Sequence, residues 1–132
     1  MFHTPAINIY TRDIVKLIAF YKRLGFQEKF RTPGEGTPKH VELSLDQFTL
    51  GIATVEAATG DHGLKPDLNG RSIEIVLWSD DTDKDYELLT ATEGAQSLSA
   101  PHDFLSDLRV AWVADPDGNP IQIVQHRKRK DK

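Results

Sequence analysis

The sequence predicts an α+β fold of two βαβββ modules, whose curved, mixed or antiparallel sheets form a concave groove. Three observations carry that expectation. The order of elements restarts after about 68 residues, so that Asp13 answers Asp81, Gly25 answers Gly94, and the turn at Asp46 answers the one at Asp117. Two amphipathic stretches open on an Asp and close on a Gly. Between Val110 and Val124, two apolar runs flank Asp115-Pro116-Asp117-Gly118-Asn119-Pro120. There Pro fixes φ, Gly supplies positive φ and Asp bonds the backbone locally, so the segment reads as strand, tight turn, strand. The expected organisation is one domain, 1–132, made of modules 1–55 and 72–126, a connection at 56–71 and a basic tail at 127–132.

Taken in order, Ala6 to Tyr10 is a short strand, sending Ile7 and Ile9 to one side and Ala6, Asn8 and Tyr10 to the other. Asp13 is an N-cap, and Ile14, Leu17, Ile18, Tyr21 and Leu24 form the apolar stripe of a helix over 13–24, closed by Gly25. Phe26 to Thr32 is a strand, ended by the loop Pro33-Gly34-Glu35-Gly36-Thr37-Pro38. His40 to Leu45 alternates cleanly, turns at Asp46-Gln47 and returns as Phe48 to Thr54. Glu56 to Arg71 has three Gly, one Pro and no periodicity, which makes it the connection. Ser72 to Trp78 is then a strand and 81–93 a helix with Tyr86 and Leu89 inward, closed by Gly94. Ala95 to Ala100, Leu108 to Ala114 and Asn119 to Gln125 supply three more strands, with Pro101 to Asp107 as a loop.

The size, 132 residues and 14.8 kDa, suits one compact unit, and with no Cys no disulfide forms. A net charge of −4 argues against a nucleic-acid surface. No apolar run approaches the ~20 residues a bilayer span needs, and no basic start leads into an apolar segment, so the expectation is a cytoplasmic protein without membrane partners. His126 to Lys132 packs five of the sixteen Lys and Arg into seven residues and reads as a solvated end.

If each helix covers one sheet face, Ile7, Ile9, Val41, Leu43, Ile73, Ile75, Leu77, Ile121 and Ile123 are core. The opposite faces hold Ala6, Asn8, His40, Glu42, Glu74, Trp78, Trp112 and Gln122, a mixture of carboxylates, amides and indoles suited to a ligand groove. Asn8, His40, Glu42, Glu74, Trp78, Trp112 and Gln122 are the candidate groove residues. His40, sharing a face with Glu42, is the His to consider as an acid-base group or ligand. His62 and His102 sit in expected loops.

The paired modules, the helix ending Phe20-Tyr21-Lys22-Arg23-Leu24-Gly25-Phe26 and the Asp115-Pro116-Asp117-Gly118-Asn119 turn together resemble the vicinal oxygen chelate superfamily. That superfamily comprises glyoxalase I, bleomycin-resistance proteins and extradiol dioxygenases. The resemblance implies four metal-ligand places, one on the first and one on the last strand of each module. By position these fall on Ala6, near Glu42, on Glu74 and on Gln122. Ala6 cannot coordinate, and Glu42, Glu74 and Gln122 make an all-oxygen fallback set poor for Zn²⁺. His3, three residues before Ala6, points to the other face. The resemblance also implies a homodimer.

The leading expectation is a groove that sequesters a small organic ligand without a metal cofactor. Trp78 and Trp112 would offer aromatic faces, and Glu42 and Glu74 an acidic character suited to a cationic or amine-bearing compound. The alternative is a divalent-metal-dependent lyase or isomerase of the glyoxalase type, with Glu74 or Glu42 as base and Gln122 as ligand. A third possibility is that the modules serve only to build an assembly.

Overall fold

The computed structural model describes residues 1, 4–71 and 73–127; His3, Ser72 and the tail from 128 lie outside them. The chain divides into two compact units, Met1–Gly70 and Arg71–Lys132.

In the first unit, β1 (Ile7–Thr11), α1 (Ile14–Arg23), β2 (Gln27–Thr32), β3 (His40–Leu45) and β4 (Phe48–Thr54) follow the expected βαβββ order. The sheet runs β1-β4-β3-β2, with β1 parallel to β4 and the other pairs antiparallel. A parallel neighbour for β1 requires a crossover, and α1 begins it. Asp13 caps α1 by accepting from the Lys16 N–H, and Gly25, at φ +106°, lets the chain leave it. The helix buries Ile14, Leu17, Ile18, Phe20 and Tyr21. Phe20 is a core residue outside the expected stripe, and edge-to-face contacts join Phe20 to Tyr21 and Tyr21 to Phe26, with centroids 5.3 and 5.5 Å apart. Val41, Leu43, Leu50 and Ile52 complete this core. Each such buried side chain contributes roughly 1.5–3 kcal/mol.

The connection is not structureless. Val55–His62 forms a helix, α2, whose N-cap Thr54 accepts from the Ala57 N–H and whose C-cap is Gly63 at φ +68°. Its periodicity is invisible because only Ala58 is buried. Good capping at both ends and two Ala carry a short helix with no apolar stripe.

The second unit repeats the plan with β5 (Ile75–Trp78), α3 (Thr82–Thr90), β6 (Gln96–Phe104), β7 (Leu108–Ala114) and β8 (Pro120–His126), in sheet order β5-β8-β7-β6. Several boundaries differ from expectation. β5 is short: its parallel ladder starts at Ile75↔Ile121, one residue after Pro120, which has no N–H to donate. Ile73 therefore lies outside the strand, exposed, rather than in the core. α3 stops at Thr90, four residues before Gly94. The Thr90 and Thr92 hydroxyls there donate to the carbonyls of Tyr86, Glu87 and Leu88, bonds that compete with helix continuation. β6 runs through Pro101 to Phe104, where a loop was expected. As an edge strand with register shifts between Ser97 and His102, it accommodates a proline.

The β7–β8 turn is locked by Asp115, only 2% exposed, whose carboxylate accepts from the backbone N–H of Asp117 and Asn119 and from Asn119 Nδ2 at 2.7 to 2.9 Å. At the far end, His126 and Arg127 are not a frayed tail. His126 ends β8, while Arg127 donates to the Leu108 and Leu105 carbonyls and pairs with Asp103. Among the described residues, no helix is long and apolar enough to cross a membrane.

Candidate functional site

Alternation along each strand leaves one face of each sheet for the helix and the other for chemistry. On that second face of the first unit, Asn8 stands opposite Gly51, Gly51 opposite Glu42 and Glu42 opposite Phe30, while Tyr10, Ala53, His40 and Thr32 form the next row. The sheet thus brings Asn8, His40 and Glu42 together. Gly51 is the hinge of the arrangement. A Cβ there would overlap Asn8 Oδ1 and lie 3.3 Å from His40 Nε2, so the Asn8 amide occupies the space a side chain at 51 would need.

Over the second row lies a cavity of about 470 Å³ with Asn8, Tyr10 and His40 in its lining, Lys39 at one side and Ala57, Ala58, Asp61 and His62 of α2 at another. His62, expected in a loop, is the last residue of that helix. Lys39 Nζ lies 3.8 Å from Asp61 Oδ2. His40 Nε2 is buried with no hydrogen-bond partner among the described residues. Glu42, on the same face, does not line the cavity. The α2 contribution was missed because that segment shows no stripe. The local signal was its two ends, Thr54 and Gly63.

In the second unit, Trp112 on β7 stands opposite Gln122 on β8, which stands opposite Val76 on β5. Trp112 Nε1–H donates to Glu74 Oε1 at 3.2 Å, so Glu74, Trp112 and Gln122 share one patch. His102, on β6 rather than in a loop, has its ring 6.2 Å from Trp112 and its Nδ1 2.8 Å from the Ala100 carbonyl oxygen. Trp78 lies at the other end of β5, 62% exposed and stacked on His126 at 4.6 Å. It does not join the Trp112 patch.

The ladders correct the metal-ligand places inferred from resemblance. Gln122 on the last strand faces Val76, and its counterpart in the first unit is the residue on β4 facing Asn8, namely Gly51. Glu42 belongs to β3 and is the counterpart of Trp112. Sequence alone could not fix this, because both β3 and β4 alternate well and only the pairing tells which of them adjoins β1. In the first unit both places, Ala6 and Gly51, therefore lack a donor side chain. Glu74 and Gln122 remain in the second. Two oxygen donors fall short of the three or four protein ligands of a typical Zn²⁺ site, and among the described residues no three His, Asp or Glu side chains converge. The residues present do not fit a divalent metal.

Electrostatic tuning lies away from these faces. The Arg31 guanidinium, hydrogen-bonded to Glu28 at 2.7 and 2.8 Å, and secondarily Lys22 of α1, hold the Glu28 carboxyl down to about 2. Arg109 likewise lowers Asp83 of α3 and is itself raised by Asp83 and Asp103.

A family model described as Glyoxalase/Bleomycin resistance protein/Dioxygenase superfamily matches residues 3–123. Similar solved structures include a glyoxalase-related enzyme from Fulvimarina pelagi, at TM-score 0.77 and 21% identity, covering 92% of this chain and 87% of that one. A glyoxalase/bleomycin resistance protein/dioxygenase family enzyme from Burkholderia phytofirmans PsJN aligns at TM-score 0.75 and 23% identity over 93% and 98%. A superfamily member from Sphaerobacter thermophilus aligns at TM-score 0.69 and 26% identity over 92% and 95%. No curated protein matches the chain.

Proposed function

Since the chain belongs to the glyoxalase/bleomycin resistance protein/dioxygenase superfamily, we propose that it is a metal-free member that binds a small organic ligand. The observation that carries this reading is the pair Ala6 and Gly51. At the two first-unit places where a metal-dependent relative would present donors, this chain has a methyl group and a hydrogen, and the Asn8 amide fills the space above Gly51. What remains on these faces is the equipment of a binding site: a largely apolar cavity with a few polar groups in the first unit, and an indole hydrogen-bonded to a carboxylate in the second. The lyase alternative would have to work from Glu74 and Gln122 alone.

Linkage supplies the test. A metal at 100 times its dissociation constant stabilises a fold by roughly 2.7 kcal/mol, a melting shift of several degrees for a chain of this size. Adding Zn²⁺, Ni²⁺ or Mn²⁺ is expected to leave Tm unchanged. A metal-dependent rise that Glu74→Ala or Gln122→Ala abolishes would replace the binding reading with the lyase one.

We further propose that the protein works as a homodimer, since among the described residues each sheet ends in strands with one unpaired edge, β1 and β2 in one and β5 and β6 in the other. Light scattering should return twice the chain mass; a monomer at all concentrations up to hundreds of micromolar removes the proposal.

A further inference from the structure

We infer that the cavity of the first unit takes a small organic acid, its carboxylate held by His40 and Lys39 and its apolar body laid against α2. The inference rests on the binding reading above and adds the charge and location of the ligand. It reverses the expectation of a cationic compound drawn from Glu42 and Glu74.

The floor of the cavity supplies the first argument. His40 Nε2 is buried and unpartnered among the described residues, and a buried polar nitrogen without a partner is costly unless something meets it there. It borders the same point above Gly51 as the Asn8 amide oxygen, which is an acceptor and leaves the imidazole as the donor there. An imidazole N–H from His40 and the Lys39 ammonium in the same lining together suit the two oxygens of a carboxylate.

The charges around the cavity supply the second. The lining carries three basic side chains, Lys39, His40 and His62, against one acidic one, Asp61. Asp61 is already engaged with Lys39, but at 3.8 Å and with the two side chains 49% and 61% exposed, that ion pair is weak and readily exchanged for an incoming carboxylate. Glu42 lies outside the lining, and Glu74 belongs to the other unit, where Trp112 occupies it. Neither offers a negative charge to a ligand here.

The body of the ligand follows from the remaining walls. Pro33, Ala53, Ala57, Ala58 and Leu64 are small or apolar, and a volume of about 470 Å³ accommodates a compound of one or two fused rings.

The test uses 2-naphthoate as the acidic probe and 2-naphthylmethylammonium as its cationic counterpart, added to the full chain. The imidazole C–H and indole N–H signals are followed by NMR and assigned by single His→Gln and Trp→Phe variants. Naphthoate is expected to shift His40 and His62 saturably while leaving Trp112 and His126 in place, and to bind at least tenfold more tightly than the ammonium compound. Lys39→Gln, at an exposed position that leaves folding intact, should weaken naphthoate about tenfold, and His40→Gln should weaken it further with Tm unchanged. Equal or tighter binding of the ammonium compound at His40 overturns the acid assignment and leaves the binding reading standing. Shifts confined to Trp112 overturn the location. Failure of both probes to move any of these signals overturns the inference, whereas the binding reading itself falls only to the metal titration described above.

Discussion

The two units share a strand order but hold their helices to their sheets by different forces. α1 presses five apolar or aromatic side chains into the first core, whereas α3 buries only Thr82. The second helix is tied down by polar contacts instead. Arg109 on β7 reaches Asp83 with two nitrogens at 2.8 and 2.9 Å, Ser79 donates to Asp85, Gln125 Oε1 accepts from the Thr82 N–H, and Tyr86 shares a hydrogen bond with Ser97. The lesson is that one topology can be stabilised by burial in one copy and by directed bonds in the other, and the two respond to different perturbations.

The comparison breaks most visibly on truncating the helices. Leu17→Ala, at a fully buried position, is expected to cost about 2–5 kcal/mol, while Leu88→Ala, at 57% exposure on α3, should stay within about 0.5 kcal/mol. Denaturant melts of both variants measure the difference, and equal losses would remove the distinction.

A smaller effect separates the two last strands. Gly51→Ala places a Cβ onto the Asn8 amide and should cost roughly 1–3 kcal/mol, with Asn8→Ala in the same chain recovering most of it. Gln122→Ala, at the counterpart position, should show no coupling to Val76→Ala beyond about 0.5 kcal/mol. Additivity at the first pair would mean that Asn8 does not occupy the space above Gly51.

The smallest effects are electrostatic and sharpen the contrast. Arg109→Met is expected to cost about 1 kcal/mol at low salt and less at high salt, because its partners are half exposed. Glu28 is depressed from 4.5 to about 2, so its contribution is fully present above pH 4.5 and is lost as pH falls toward 2. Solvent screening reduces it to roughly 1 kcal/mol. Acid titration of Glu28→Gln beside the parent chain should show the parent losing its advantage within that window. Asp83, also lowered, acts with the same sign.

Much of this was legible in the residues. Asp13, Asp81 and Gly25 stand where capping chemistry puts them, and the alternation of His40 to Leu45 divides core from site as the structure does. Three things were not legible. α2 has no apolar stripe because its partner surface is small, so only its caps announce it. The length of β6 depends on its being an edge strand, a property of the whole sheet rather than of Pro101. Gly51 was overlooked as a site position because its meaning lies in its absent side chain, which register alone reveals. Of the groove candidates, Asn8 and His40 meet in one cavity lining, and Glu74, Trp112 and Gln122 meet in one patch. Glu42 shares the sheet face of Asn8 and His40 but lies outside the cavity lining, and Trp78 stands apart from both.

The Asp115 turn constrains how this chain can change over generations. Because the carboxylate bonds the backbone at 117 and 119, the spacing between β7 and β8 is fixed locally, and with it the pairing of Trp112 with Gln122. Side chains alternate with a period of two, so one inserted residue would turn Gln122 toward the helix and Ile121 and Ile123 toward the Trp112 face. Substitutions within the patch can be sampled one at a time, each with its own modest effect. A change of length at this turn cannot, since it would exchange the Trp112 face for the core in a single step.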